Sequence, residues 1–143
     1  MKKFEEFIKE RDVKRISPDM ELAKSLLEEL KIRAEIAFEM KIDEKMARIV
    51  FELLYDCLRE LTDVLLALDG YKSYSHEAGI AYLKKFPEIS EYEISELDSF
   101  RKIRIGSKYY GKPAQVSDAF RIKNKFPMIK AKLLDIIKEK HHI

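Results

Sequence analysis

The chain has one cysteine, no tryptophan, four glycines and four prolines in 143 residues, and Asn124 and Gln115 are its only side-chain amides. A lone Cys57 has no internal disulfide partner. Its place among apolar residues at helical spacing reads as a buried, inert thiol rather than a nucleophile. The scattered glycines do not build a glycine-rich phosphate loop. No apolar run reaches the roughly 18 residues of a membrane span, and no charged-then-apolar leader is visible. The three histidines form no cluster with cysteine and no two-histidine helical spacing, so no transition-metal site is expected. Together these absences lead to an expectation of one compact cytoplasmic domain over residues 1–143, with no metal and no cofactor. Few amides beside abundant Lys and Glu is also a balance often found in proteins from hot environments.

Charge is plentiful, at 38% of residues, and it is unevenly laid out. Residues 101–143 hold 12 Lys/Arg against 3 Asp/Glu, or +9, whereas residues 1–100 hold 16 against 23, or −7. Such asymmetry is a reason to expect a polyanionic partner at the basic end, and equally a reason for the two parts to attract each other.

Apolar residues recur at threes and fours almost throughout, which predicts a helical bundle and no sheet. Ser17-Pro18-Asp19 reads as a cap with proline at the first helical position, opening a helix to about Met40 with Ala23, Leu26, Leu27, Leu30, Ala34 and Ala37 inward. A central helix starts near Asp43 and carries Met46, Ile49, Val50, Leu53, Leu54, Cys57, Leu58, Leu61, Val64, Leu65 and Leu68 on one side, until Asp69-Gly70 stops it. Ser73 or Ser75 caps a shorter helix bearing Gly79, Tyr82, Leu83 and Phe86, ended by Pro87. Ser90-Glu91-Tyr92-Glu93 is a capping box that opens the next helix. Residues 117–143 form a basic C-terminal helical segment kinked or interrupted at Pro127, and residues 1–16 an N-terminal helical extension.

The most informative segment is Phe100 to Gly111. Arg101 and Arg104 lie one helical turn apart, Lys108 follows four residues on, and Tyr109 and Tyr110 come just beyond. Guanidinium groups fork onto phosphate oxygens, and phenol rings offer flat faces to bases, so these five residues are the candidate RNA- or nucleotide-binding set. On the central helix, Glu52, Asp56, Glu60 and Asp63 form an acidic stripe. Asp56 or Glu60 is expected to receive Arg101 or Arg104 from the adjacent helix and orient its fork. Tyr55 is expected away from the core centre, at a subunit interface. His76 is expected to bond to backbone where its helix begins, and His141 and His142 to lie in a frayed tail.

In order, the long Ala/Leu-rich first helix, Tyr55-Asp56, Leu65 through Tyr71, Tyr74-Ser75-His76, and Phe100-Arg101-Lys102-Ile103-Arg104 followed by Tyr-Tyr-Gly resemble the HEPN domains, over roughly Asp19 to Ala119. The resemblance implies an all-α antiparallel bundle of five to six helices. It also implies a two-fold homodimer whose arginine-bearing helices face each other. Ribonuclease members carry an arginine, a gap of four to six residues, and a histidine. Counting from Arg104, those positions hold Tyr109, Tyr110 and Gly111, and Ile105 stands where a polar residue is common.

Three functions follow from the resemblance. The first is a noncatalytic RNA- or nucleotide-binding module using Arg101, Arg104, Lys108, Tyr109 and Tyr110. The second is a metal-independent endoribonuclease in which Arg104 stabilises the phosphorane charge and Tyr109 stands in for histidine. The third is a partner of a nucleotidyltransferase in a toxin–antitoxin or defence system.

Overall fold

A computed structural model describes all residues, 1–143, and contains six helices and one small two-stranded sheet. Helix α1 (Phe4–Lys9) leads into strand β1 (Val13–Arg15), and α2 (Met20–Glu39) and α3 (Ala47–Leu68) follow as a long pair. Strand β2 (Tyr71–Ser73) then returns against β1, before α4 (His76–Leu83), α5 (Glu91–Tyr109) and α6 (Val116–His141) complete the chain.

Side-chain caps set most of these limits. Asp19, rather than Ser17, caps α2 by accepting from the Leu22 amide, which leaves Pro18 outside the helix. Asp43 accepts from the Met46 amide at 2.8 Å, so a turn occupies the residues ahead of α3 and the helix proper begins at Ala47. Gly70, at φ +91°, reverses the chain after Asp69, where a side chain would be strained. Ser75 caps α4, which ends at Leu83 before reaching Phe86. Ser90 and Glu93 form the reciprocal capping box of α5. Glu93 also accepts from Lys132 of α6 at 2.6 Å, so one carboxylate both starts a helix and docks its neighbour.

Helix α3 is the centre of the bundle, with 13 of its 22 residues buried. Its neighbours are α2, α4, α5, α6 and β2. Leu22 and Ala23 of α2 lie with Val64 and Ala67 of α3, while Arg33 meets Glu60, so these helices run antiparallel. On α5, Leu97 adjoins Leu58 and Thr62, and Ser107 reaches Glu52, again antiparallel. Helix α6 instead brings Lys140 and His141 to Asp69 at the far end of α3, so α3 and α6 run parallel. The four long helices therefore alternate in direction along the chain, and of the two pairs that share a direction it is α3 and α6 that pack together.

Several expectations are corrected. Residues 1–16 are not helical throughout: after α1, Val13–Arg15 pair antiparallel with Tyr71–Ser73, giving a two-stranded sheet where none was expected. Three residues per strand are too few to show a period of two, and the pairing depends on the α1–β1 and α3–β2 junctions meeting in space. Leu26 and Ile49 are exposed rather than inward. Tyr55 is buried, with its ring stacked 6.4 Å from Phe51 and unavailable to a subunit interface. Pro127 does not interrupt α6. It lies on the exposed side, where water can satisfy the carbonyl one turn earlier.

The C-terminal turn is fastened rather than frayed. His141 Nε2 is 2.6 Å from Asp69 Oδ1, Lys140 Nζ is 2.9 Å from Oδ2, and the Tyr82 hydroxyl donates to the same carboxylate. Burial alone would raise the Asp69 pKa, but these three donors outweigh it and hold it below its ordinary value. Asp69→Ala removes an acceptor shared by α4 and α6 and should lower unfolding stability by about 2–4 kcal/mol. Urea denaturation measures the loss, and hydrogen exchange should show the last turn of α6 opening first.

Candidate functional site

The two arginines of α5 point the acidic stripe in different directions. Arg104 donates from Nε to Asp56 Oδ1 at 3.3 Å and from Nη1 to Glu52 Oε1 at 3.4 Å. Arg101 stays within its own helix and donates to Asp98 at 2.9 Å, and Lys102 lies 3.3 Å from the same carboxylate. Asp56 thus receives an arginine from the adjacent helix as expected. Glu60 does not, because Arg33 of α2 takes it at 2.8 Å. The reason is helical drift: each i to i+4 step turns by about 40°, so a stripe that starts facing α5 ends facing α2.

Glu52 has the densest set of partners in this region. Its Oε1 accepts from Arg48 Nε at 3.1 Å, from Ser107 Oγ at 3.0 Å and from Arg104. Arg48 Nη2 also donates to the Ser107 carbonyl at 3.1 Å. This network fixes the end of α5 against the start of α3. Arg48 and Ser107 were not singled out from sequence; an i, i+4 Arg-Glu pair at the start of α3 was the available signal.

His76 lies nearer the arginines than its place in the sequence suggests. Its Nδ1 is 3.3 Å from the Tyr55 hydroxyl, rather than bonded to backbone, and the two rings stack 6.1 Å apart. Burial and the Arg59 charge lower its pKa to about 4, with Arg104 and Arg101 adding to the effect and Asp56 opposing it. The imidazole is therefore neutral at pH 7. Burial also raises the Asp63 carboxyl to about 6, although 44% of that side chain still meets water, which damps the effect. The cleft lined by Tyr55, Arg59, Thr62, Asp63, His76 and Leu97 has a volume of about 20 Å³. That is room for a single water, and a nucleotide does not enter it in this conformation.

The open surface lies at the end of α5. Tyr109 and Tyr110 are 66% and 70% exposed, and Lys108 Nζ stands 5.3 Å over the Tyr109 ring. Gly111, at φ +62°, turns the chain here, and the Gly106 carbonyl accepts from the amides of both Tyr110 and Lys112. Arg104 and Tyr110 are separated by six residues, about 9 Å of helical rise.

Half of the basic excess is spent internally. Of the 12 cations from residue 101 onward, Arg101, Lys102, Arg104, Arg121, Lys132 and Lys140 pair with carboxylates. Lys108, Lys112, Lys123, Lys125, Lys130 and Lys138 have no carboxylate within 4.0 Å. Lys123, Lys125 and Lys130 lie over the rings of Phe38, Tyr92 and Phe126. No group of three or more His, Cys, Asp or Glu is arranged to hold a metal ion, and no helix is long and apolar enough to cross a membrane. No family model, no curated protein and no solved structure matches the chain.

His76 gives this region a pH dependence. Its folded pKa lies below its unfolded value, so its contribution is fully present above about pH 6.5 and lost as pH falls toward about 4. After discounting for solvent screening, that loss is about 1–2 kcal/mol. Urea denaturation at pH 7.0 and at pH 4.5 should show His76→Gln losing less stability than the wild type over that interval. Equal losses in the two proteins would mean that the buried imidazole is not the source.

Proposed function

We propose that this chain is a HEPN-like cytoplasmic module that binds RNA or a nucleotide at the C-terminal end of α5. The observation that carries the reading is the pair of adjacent, outward-standing tyrosines beside two lysines without carboxylate partners, Lys108 and Lys112. Rings so exposed gain most when a flat apolar partner covers them, and base stacking is worth about 1–3 kcal/mol per ring. Lys108 supplies the free charge. Arg104 and Arg101 supply guanidinium forks already oriented by carboxylates, at the cost of competing with Asp56, Glu52 and Asp98 for them. The combination favours a salt-sensitive surface over a deep pocket.

Ile103 and Ile105 remain partly exposed on either side of Arg104. A two-fold homodimer pairing the α5 helices would cover them and double the local positive charge. Cleavage is the second reading, with Arg104 stabilising phosphorane charge and Tyr109 moving the proton. What favours it is the gap of four residues between Arg104 and the exposed Tyr109, the spacing that the resemblance gives to arginine and histidine. A nucleotidyltransferase partner is the third, and the same exposed tyrosines would serve as its contact.

Fluorescence anisotropy with labelled single-stranded RNA separates these readings. Affinity should fall linearly with log salt, with a slope of about −0.7 per phosphate contact. The double change Tyr109→Ala and Tyr110→Ala should weaken binding about tenfold or more, whereas Tyr109→Phe should leave it nearly intact. Tyr109→His, assayed in EDTA, should confer or raise cleavage if the ribonuclease reading holds. Salt-independent binding, or no loss on removing both rings, would discard the nucleic-acid reading in favour of a protein partner.

A further inference from the structure

A second site lies away from the end of α5, between α2, α3 and strand β2. Here a cavity of about 380 Å³ is lined by 15 residues, within the size range of small-molecule sites. Leu22, Leu26, Leu30, Val64 and Ala67 give it apolar walls, and Leu22 and Leu26 are exposed at its mouth. This wet apolar surface belongs to the helix face nearest the core, which packing against α3 leaves uncovered.

One end of the cavity is polar and acidic. Arg33 Nη1 pairs with Glu60 Oε2 at 2.8 Å, while its Nε has no hydrogen-bond acceptor. Arg33 is also drawn toward Glu29 at 3.6 Å, and Asp63 has only Arg59, at 3.8 Å, beyond hydrogen-bond reach. Lys72, the other cation of the lining, holds its ammonium 5.6 Å over Tyr74, outside the cavity. Three carboxylates of the lining thus stand against Arg33 within it and Arg59 beside it, and Asp19 is also occupied in capping α2. The surplus is negative, and Asp63 is the carboxylate with no donor within hydrogen-bond reach.

We propose that this cavity binds a small amphipathic amine, with its ammonium between Glu60 and Asp63 and its apolar body along Leu22, Leu26 and Val64. An ammonium brings one positive charge and three donors to Asp63, whose nearest cation lies beyond hydrogen-bond reach. A carboxylate of the same shape meets like charge there, and an alcohol leaves the charge unused. The walls alone bind any apolar chain, so the discrimination resides in the polar end.

Titration calorimetry on the full chain with hexylammonium, 1-hexanol and hexanoate tests this. Hexylammonium should bind about tenfold or more tightly than the other two, a difference of about 1.4 kcal/mol. Asp63→Asn should reduce that preference to about threefold or less, and Leu26→Trp, at a mouth position 40% exposed, should weaken all three ligands with circular dichroism unchanged. Amide shift changes in the wild type on adding hexylammonium should centre on Ala23 and Ala67, a readout that needs no variant. Equal binding of hexanoate, shift changes elsewhere, or no hexylammonium binding at about 10 mM, where even millimolar affinity is detectable, would overturn the proposal.

Discussion

The burial of α3 constrains everything around it. A helix covered on most of its circumference has only a narrow wet flank, and this one fills that flank with Glu52, Asp56, Glu60 and Asp63. Carboxylates so close to an apolar core need partners, because leaving them half-desolvated and unpaired is costly. Their partners come from three helices: Arg48 and Arg59 from α3 itself, Arg33 from α2, and Arg104 with Ser107 from α5. The orientation of α2 and α5 about the centre is therefore set by charge as well as by packing.

The split into acidic and basic parts of the chain takes on structural meaning in this arrangement. Arg104, Arg121, Lys132 and Lys140 each cross from the basic part to a carboxylate of the acidic part. Most of these pairs are partly exposed, and each such pair contributes about 0–1 kcal/mol, so their role is to choose an orientation rather than to supply stability. The cations left over are not spread evenly either. Lys123, Lys125 and Lys130 on α6 rest over aromatic rings, whereas Lys108 and Lys112 flank the turn after α5.

Local rules were legible in the sequence where the chain itself decides the outcome. The Ser90–Glu93 capping box, the stop at Asp69-Gly70 and the long apolar face of α3 depend on residues a few positions apart. What escaped depends on tertiary meeting. The two-stranded sheet joins residues separated by two long helices, and Tyr55 is drawn inward because Phe51 and His76 offer its ring two faces. His141 looked like a tail residue until Asp69 was placed beneath it. The pairing of Asp56 with Arg104 was readable because both lie on long helices with firm registers. Of the two carboxylates expected to take an arginine of α5, Glu60 does not, because its side of α3 turns toward α2.

The ion pairs of Arg101 and Arg104 bear directly on what the end of α5 can do. A guanidinium held by a carboxylate is not free, but neither is it lost, since it is already desolvated on one side and its rotamer is restrained. A phosphate that replaces Asp98 or Asp56 gains a charge-assisted fork but leaves a half-buried carboxylate without its partner, so the exchange carries a cost that further contacts must offset. Glu52 makes the difference between the two arginines. It ties Arg104 into the same network as Arg48 and Ser107, so a ligand that pulls Arg104 away also loosens the anchor of the turn bearing the tyrosines. Arg101, bound only within its own helix, can be recruited without that cost. Under the proposed function, a polyanion on this surface would therefore meet Lys108 and the tyrosines first, then Arg101, and would reach Arg104 only where its contacts compensate for the disturbance at Glu52.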